Sequence, residues 1–454
     1  MSLPPLIPRD VLFGNPERAA PRISPDGTRL AYLAPDEGVL NVWVGPMGGE
    51  AKPVTRDRDR GVRAYDWTHD GTHLVYIQDE GGDEDWHLHV VDPETGDDVD
   101  VTPFEGVQAR IVAAQKRFPH ELLVAINRDN PQLHDVYHLD LRTLELVKRV
   151  ENPGFVGWMV DAELRVRGAM RPLPDGSEEI LVGDPDDPAS FEVVARFPHE
   201  DALASHPVGF TLDGSGLLLV SSVGANAGRL VRLDLASGDS DVIVEDAQYD
   251  VAGVMRHPDT WEVQMVSILR ERVEHLVLDP DIEGDIAALE ARHPDADVAV
   301  VGRDHADRTW LVAATADDGP VRYEAWNRET GEATFLFEHR PELNRYTLAK
   351  VEPFSFTSRD GLTIHGYLTF PPGVDRSALP TVLNVHGGPW TRDVWGFDPE
   401  AQWLANRGYL CVQVNYRGST GYGKDFVNAG DREWGAKMHD DLVDAVEWVV
   451  GEGY

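Results

Sequence analysis

Ser24-Pro25-Asp26-Gly27-Thr28-Arg29-Leu30-Ala31-Tyr32 returns as Thr68-His69-Asp70-Gly71-Thr72-His73-Leu74-Val75-Tyr76, and again as Thr211-Leu212-Asp213-Gly214-Ser215-Gly216-Leu217-Leu218-Leu219. His257-Pro258-Asp259-Thr260-Trp261-Glu262-Val263 is a degenerate copy. Aspartate bonds nearby backbone and glycine accepts a positive φ, so each Asp-Gly marks a tight turn, and a short apolar strand follows it. An alternating strand and a second turn come next, as in His87 to Gly96, Leu230 to Gly238 and Tyr323 to Gly331. Gly27 and Gly71 lie 44 residues apart, the period of a propeller blade. Short strands without helical periodicity predict four-stranded blades. At this period residues 20–345 hold about seven of them, with the third and fourth weakly marked.

Composition bounds the rest. The chain has 454 residues, 42% of them apolar, enough for two or three domain cores. The 79 acidic residues outnumber the 41 basic ones, for a net charge of −38, a surface that repels nucleic acid and anionic membrane. Only six basic residues are lysines (Lys52, Lys116, Lys148, Lys350, Lys424 and Lys437). A salt-tolerant source and a GC-rich genome both account for this bias; structure retained at low salt excludes the first. No stretch approaches the roughly 20 apolar residues of a membrane span. The proline-rich start, Met1 to Asp10, has no apolar run and argues against a secretory signal. With Cys411 alone no internal disulfide forms, which fits a reducing, cytoplasmic setting. The acidic loop Asp79 to His87 is read as a solvated turn in an acid-rich chain, rather than a patch for a peptide amino group. His87 and His89 share a strand face without further ligands at metal spacing, so no metal site and no cofactor is expected.

After Arg345 the pattern changes. Phe354 to Leu368 reads as a hairpin turning at Asp360-Gly361, and Thr381-Val382-Leu383-Asn384-Val385 as a strand running into His386-Gly387-Gly388-Pro389. A helix is predicted from Asp398 to Arg407, stopped by Gly408, and a strand from Tyr409 to Val414. Leu442, Val443, Val446, Val449 and Val450 fall on one face of a final helix. Strands alternating with helices predict a parallel sheet covered on both sides, the first part of an α/β-hydrolase domain.

The glycines after that strand have a chemical reading. Acyl transfer builds negative charge on the carbonyl oxygen, and backbone N–H groups must come within about 3 Å of it. Glycine, lacking Cβ, permits that approach, and in α/β-hydrolases one donor comes from a loop of this kind. Gly388 is the candidate oxyanion donor and Gly387 shapes the turn. Followed by Asn415-Tyr416-Arg417-Gly418-Ser419 and Gly421-Tyr422-Gly423, the set resembles the prolyl oligopeptidase family, in particular its acylaminoacyl-peptidase and dipeptidyl-peptidase branches. The resemblance covers nearly the whole chain and includes Trp434-Gly435 and Asp440-Asp441-Leu442. It implies a cytosolic-type serine peptidase acting on short peptides. Residues 1–19 would pack on the hydrolase part (346–454), and the propeller (20–345) would cap the active site. His386, Tyr416 and Arg417 would support the active-site loop, Arg417 through a structural ion pair.

The family's next element, a strand and a Gly-x-Ser-x-Gly elbow, does not occur here. Ser419 follows the wrong strand in the wrong register and is rejected as nucleophile; His386 and His439 precede any elbow and do not fit the order Ser, Asp, His. No catalytic residue is therefore assigned within the chain: nucleophile, acid and base are expected after Tyr454, in the intact gene product or a second fragment. The alternative is a non-catalytic propeller that binds peptides or proteins and carries a degenerate hydrolase remnant; an esterase is a third option. Endo- or exopeptidase specificity stays open, and a homo-oligomer is allowed.

Overall fold

Each Asp-Gly repeat is a turn built by its own side chains in the computed structural model, which describes residues 3–454. Asp70 Oδ1 accepts from Thr68 Oγ1 (2.6 Å) and the Thr72 N–H (2.8 Å), while Gly71 takes φ +71°. Asp213 repeats this with Thr211 Oγ1 (2.6 Å) and the Ser215 N–H (3.0 Å). The weakly marked units keep the turn but change its chemistry. In the fourth, Asp161 Oδ1 accepts from the Glu163 and Arg165 N–H groups (both 3.0 Å), yet Leu164 rather than glycine holds the positive φ. In the degenerate copy, His257 Nδ1 is the acceptor and Trp261 stands at φ +60°.

Seven antiparallel sheets follow one another over residues 19–53, 64–100, 109–150, 157–197, 206–244, 251–277 and 296–338. Their apolar cores show how they are arranged. Leu33 and Val42 of sheet 1 share a cluster with Trp67 and Leu74 of sheet 2. The same holds for sheets 2 and 3 around Leu88 and Leu122, 3 and 4 around Val136 and Leu181, and 4 and 5 around Ile180 and Leu217. Sheets 5 and 6 meet through Leu230 and Val266, and sheets 6 and 7 through Met265 and Trp310. Finally Tyr32 of sheet 1 packs on Phe337 of sheet 7, ring centroids 5.5 Å apart. Every sheet thus buries both faces against its neighbours, and the succession closes into the ring of a β-propeller.

The expectation of four strands in every blade needs one correction. Sheet 6 has three strands, and the helix Pro280–Arg292 follows its third. The Asp279 side chain caps it and Pro280 opens it, while Ile282, Ile286 and Leu289 are buried at helical spacing.

Turns between first and second strands gather at one mouth of the ring. Lys116 of sheet 3 reaches Asp259 Oδ1 of sheet 6 and the His305 carbonyl of sheet 7, both at 2.6 Å, so its stem crosses the mouth. His69 Nδ1 of sheet 2 lies 2.8 Å from His305 Nε2. These side chains line a cavity of about 480 Å³ with Arg303 and Trp261.

The remaining sheet is built from Val351–Thr357, Thr363–Thr369, Leu410–Asn415 and Thr381–Asn384, in that spatial order. Only the last pair is parallel; Thr363–Thr369, the second strand of the entry hairpin, runs antiparallel to both of its neighbours. The sheet is therefore mixed, not parallel as alternation of strands and helices suggests, because a hairpin precedes the first crossover. The helix Pro399–Asn406, capped by Asp398 Oδ1 on the Ala401 N–H (2.7 Å), is that crossover. The final helix, Lys437–Glu452, also departs from its predicted face. Met438, Asp441, Ala445 and Val449 are buried, whereas Val446 and Val450 are 46% and 70% exposed. Two aspartates take core-facing positions because arginines meet them there, and the valines turn outward.

The hydrolase-like part shares one apolar core with sheets 5 and 6, where Tyr249, Val251 and Ile268 meet Tyr422, Phe426 and Leu368. Near the N-terminus, the Ile7 N–H donates to Asn406 Oδ1 (2.7 Å), Asn406 Nδ2 donates to the Pro5 carbonyl (3.0 Å), and Ile7 and Leu12 pack beside Trp403. Among the described residues no helix is long and apolar enough to cross a membrane.

Among the described residues Thr381–Asn384 pairs on one side only. An open edge with Val382 and Val385 accessible invites edge-to-edge pairing. This chain is expected to self-associate in sedimentation velocity runs, and Val382→Lys to shift it toward monomer; equal association by both would refute the edge as the cause.

Candidate active site

The loop leaving Thr381–Asn384 carries the residues singled out in the sequence. Gly387 and Gly388 are exposed. Gly388 has φ +124°, and a Cβ there would lie 2.7 Å from the Trp390 nitrogen, so no other residue fits without moving the loop. Among the described residues neither glycine N–H has an acceptor within the chain, leaving both donors available. His386 holds the turn from behind: it stacks on Tyr416 with centroids 4.7 Å apart, and Tyr416 Oη donates to the His386 carbonyl (3.1 Å).

Ser419 does approach a histidine, its Oγ lying 3.1 Å from His386 Nε2. It is nevertheless fully buried and donates to the Tyr416 carbonyl at 2.7 Å. A nucleophile needs a reachable oxygen, and this one is spent on backbone. His439 is exposed on the final helix, away from this group.

Arg417 sits below the loop, almost wholly buried. Nε and Nη2 donate to Asp441 (2.8 and 2.7 Å), Nη1 and Nη2 donate to Asp360 (both 2.8 Å), and its N–H also reaches Asp441 (3.0 Å). One guanidinium thereby joins the hairpin turn, the strand end and the final helix. Those hydrogen bonds hold the Asp360 carboxyl well below the usual carboxylate range. Arg359 adds a parallel fastening, its Nε donating to Asp444 at 2.7 Å.

Sequence reading passed over the groups that fix the loop's far end. Asn415 brackets Asp393, its Oδ1 accepting from the Asp393 N–H (2.7 Å) and its Nδ2 donating to the Asp393 carbonyl (3.0 Å). Burial pushes the Asp393 carboxyl up to about 6, with nearby His386 opposing the shift. Arg392 reaches the propeller, and Tyr422 accepts from both Arg392 and Asn415 at 2.8 Å. Asn415 and Tyr422 lie in quoted motifs; Arg392 and Asp393 carry no local signal. Elsewhere, Asp79 of the acidic loop is buried against Arg60 (3.1 Å), and the acids from Glu80 to Glu84 are exposed. His87 and His89 face Asp100 and Asp98 at 2.7 and 3.3 Å, and no group of metal-ligating side chains occurs among the described residues.

Residues 395–454 match the model of the prolyl oligopeptidase family. Across 99% of its length the chain is 43% identical to dipeptidyl aminopeptidase BIII of Pseudoxanthomonas mexicana, covering 66% of that protein. The chain belongs to the prolyl oligopeptidase family. Dipeptidyl peptidase family member 6 of Caenorhabditis elegans is 30% identical, again over 99% of the chain and 65% of the relative. The chain thus spans about two thirds of the length of these relatives. A puromycin-hydrolyzing peptidase of Mycobacterium tuberculosis shares the fold, with a TM-score of 0.71 at 18% identity over 100% of this chain and 74% of that one.

Removing one partner of a buried ion pair strands the other charge. Arg417→Met should cost about 3–5 kcal/mol in urea denaturation; a loss no larger than that of an exposed arginine would show the cluster to be incidental. Acid should also weaken the fold. Burial, aided by Arg392, holds His365 near 4, so it stays neutral when folded while the unfolded imidazole takes up a proton. That stability is complete above the ordinary histidine pKa of about 6.5 and is lost as pH falls from there toward 4. His365→Gln should shrink the difference in stability between neutral and acid pH; an unchanged difference would assign the acid sensitivity elsewhere.

Proposed function

We propose that this chain is the propeller and the first part of the catalytic domain of a serine-type exopeptidase that releases dipeptides from the N-termini of short peptides. The similarity to a dipeptidyl aminopeptidase over 99% of the chain carries this reading. The loop geometry supports it: Gly388 offers a free N–H as oxyanion donor, Gly387 forms its turn, and His386, Tyr416 and Arg417 hold the loop in place. Residues 20–345 then form a seven-bladed propeller over the site, residues 346–454 the start of the hydrolase domain, and residues 1–19 a segment docked on it.

In this reading the nucleophile, acid and base come from sequence following Tyr454. The apolar surface around the loop is consistent with a covering layer there: Trp390 and Trp434 are 53% and 67% exposed, with ring centroids 6.2 Å apart, beside exposed Val385 and Val394. The oxyanion donor would take up the charge of the tetrahedral intermediate, and the missing triad would transfer the acyl group and the proton. A cytoplasmic location goes with a single thiol that is buried in the sheet and pushed up to about 12 by burial.

The test uses the intact gene product, a fluorophosphonate probe and fluorogenic peptides. Labelling at a serine beyond Tyr454, with release of the fluorophore from free dipeptidyl substrates but not from N-acetylated ones, is expected. Equal cleavage of blocked substrates would replace the exopeptidase with an oligopeptidase. No labelling, with peptides still bound, would replace the enzyme with a binding module.

A further inference from the structure

Arg392 lies four residues beyond Gly388, yet two of its four side-chain hydrogen bonds leave the hydrolase part. Its Nη1 donates to the Leu269 carbonyl (2.9 Å), at the end of the second strand of sheet 6, and its Nη2 to the Arg270 carbonyl (2.8 Å), in the turn that follows. Nη2 also donates to Tyr422 Oη (2.8 Å), and the guanidinium stands 4.1 Å from the centre of the Tyr422 ring. Charge-assisted hydrogen bonds of this kind are stronger and more directional than neutral ones.

We propose that Arg392 is a positioning residue that couples the seating of propeller sheet 6 to the geometry of the loop carrying Gly388; the proposal rests on the peptidase reading for its catalytic consequence. The loop has two holds near residue 392. One is internal: Asn415 on Asp393, and the Thr420 N–H on the Thr391 carbonyl (3.1 Å). The other is Arg392, two of whose acceptors, the Leu269 and Arg270 carbonyls, belong to the propeller. The two holds meet at Tyr422 Oη, which accepts from Asn415 and Arg392 together. Tilting the propeller away withdraws the Leu269 and Arg270 carbonyls, deprives a half-buried guanidinium of two acceptors, and loosens the loop at its propeller end. Other hydrogen bonds across the interface end outside residues 387–393, and the Arg272 guanidinium stands 4.1 Å from the centre of the Trp395 ring. Lys424 Nζ donates to Asp201 Oδ1 (2.7 Å) and the Asp425 N–H to Asn226 Oδ1 (3.0 Å), both on the segment after Gly423. Propeller docking can therefore be disturbed there without touching the loop.

The experiment compares Arg392→Met, Arg392→Lys and the interface control Lys424→Met. In this chain, hydrogen exchange should quicken at residues 387–393 and at the 269–272 turn in Arg392→Met, partly recover in Arg392→Lys, and stay at wild-type rates at residues 387–393 in Lys424→Met. In the intact gene product, Arg392→Met should lower kcat on a dipeptidyl substrate about 10- to 100-fold with little change in KM, the size of effect a displaced catalytic group produces. Wild-type exchange at 387–393 in Arg392→Met, or equal loosening in Lys424→Met, would overturn the coupling. An inactive wild-type protein would sink the peptidase reading alone, since the exchange comparison needs no catalysis and still decides the coupling.

Discussion

The guanidinium of Arg417 is the point on which the part of the chain after the propeller turns. A buried cation is tolerable only when its donors are met by opposite charge, and Asp441 and Asp360 meet them. The geometry is demanding. The carboxylates come from a hairpin turn and a helix more than seventy residues apart in sequence, and the guanidinium from the end of a strand. Satisfying them together fixes where that strand stops. From there follow the positions of Tyr416, which holds His386, and of Asn415, which holds Asp393.

That demand explains where the sequence was readable. Turn chemistry is local, so the Asp-Gly repeats disclosed the blades, and Asp398 with Gly408 disclosed the crossover helix. The weak third and fourth units hid because their turns use other residues: a Gln115-to-Pro119 link and Leu164 at a positive φ. The helix Pro280–Arg292 carried its own cap and an apolar spacing, and was missed because the repeat implied another strand there.

The site was legible in part for the same reason. Gly387 and Gly388, the proposed oxyanion loop, stand in a short motif, and so does the segment that holds the turn. Arg392 does not, because its partners are backbone carbonyls, which any residue supplies. The face of the final helix was misjudged because hydrophobic periodicity assigns acids to water. Asp441 and Asp444 are inside because arginines are already there to receive them.

The ring closes without exchanging strands. Every sheet is continuous in sequence, so sheets 1 and 7 meet through side chains such as Tyr32 and Phe337 and through the His305 N–H on the Pro25 carbonyl (2.8 Å), not through a shared hydrogen-bond ladder. Six of the seven seams join neighbours in the chain; this one joins its distant ends and carries the largest loop-closure entropy. The clasp Lys116 makes with Asp259 and His305 spans the mouth from the opposite side and ties sheet 7 into the ring from sheet 3. A cylinder slit along one side and buttoned at one end flexes mainly along the slit.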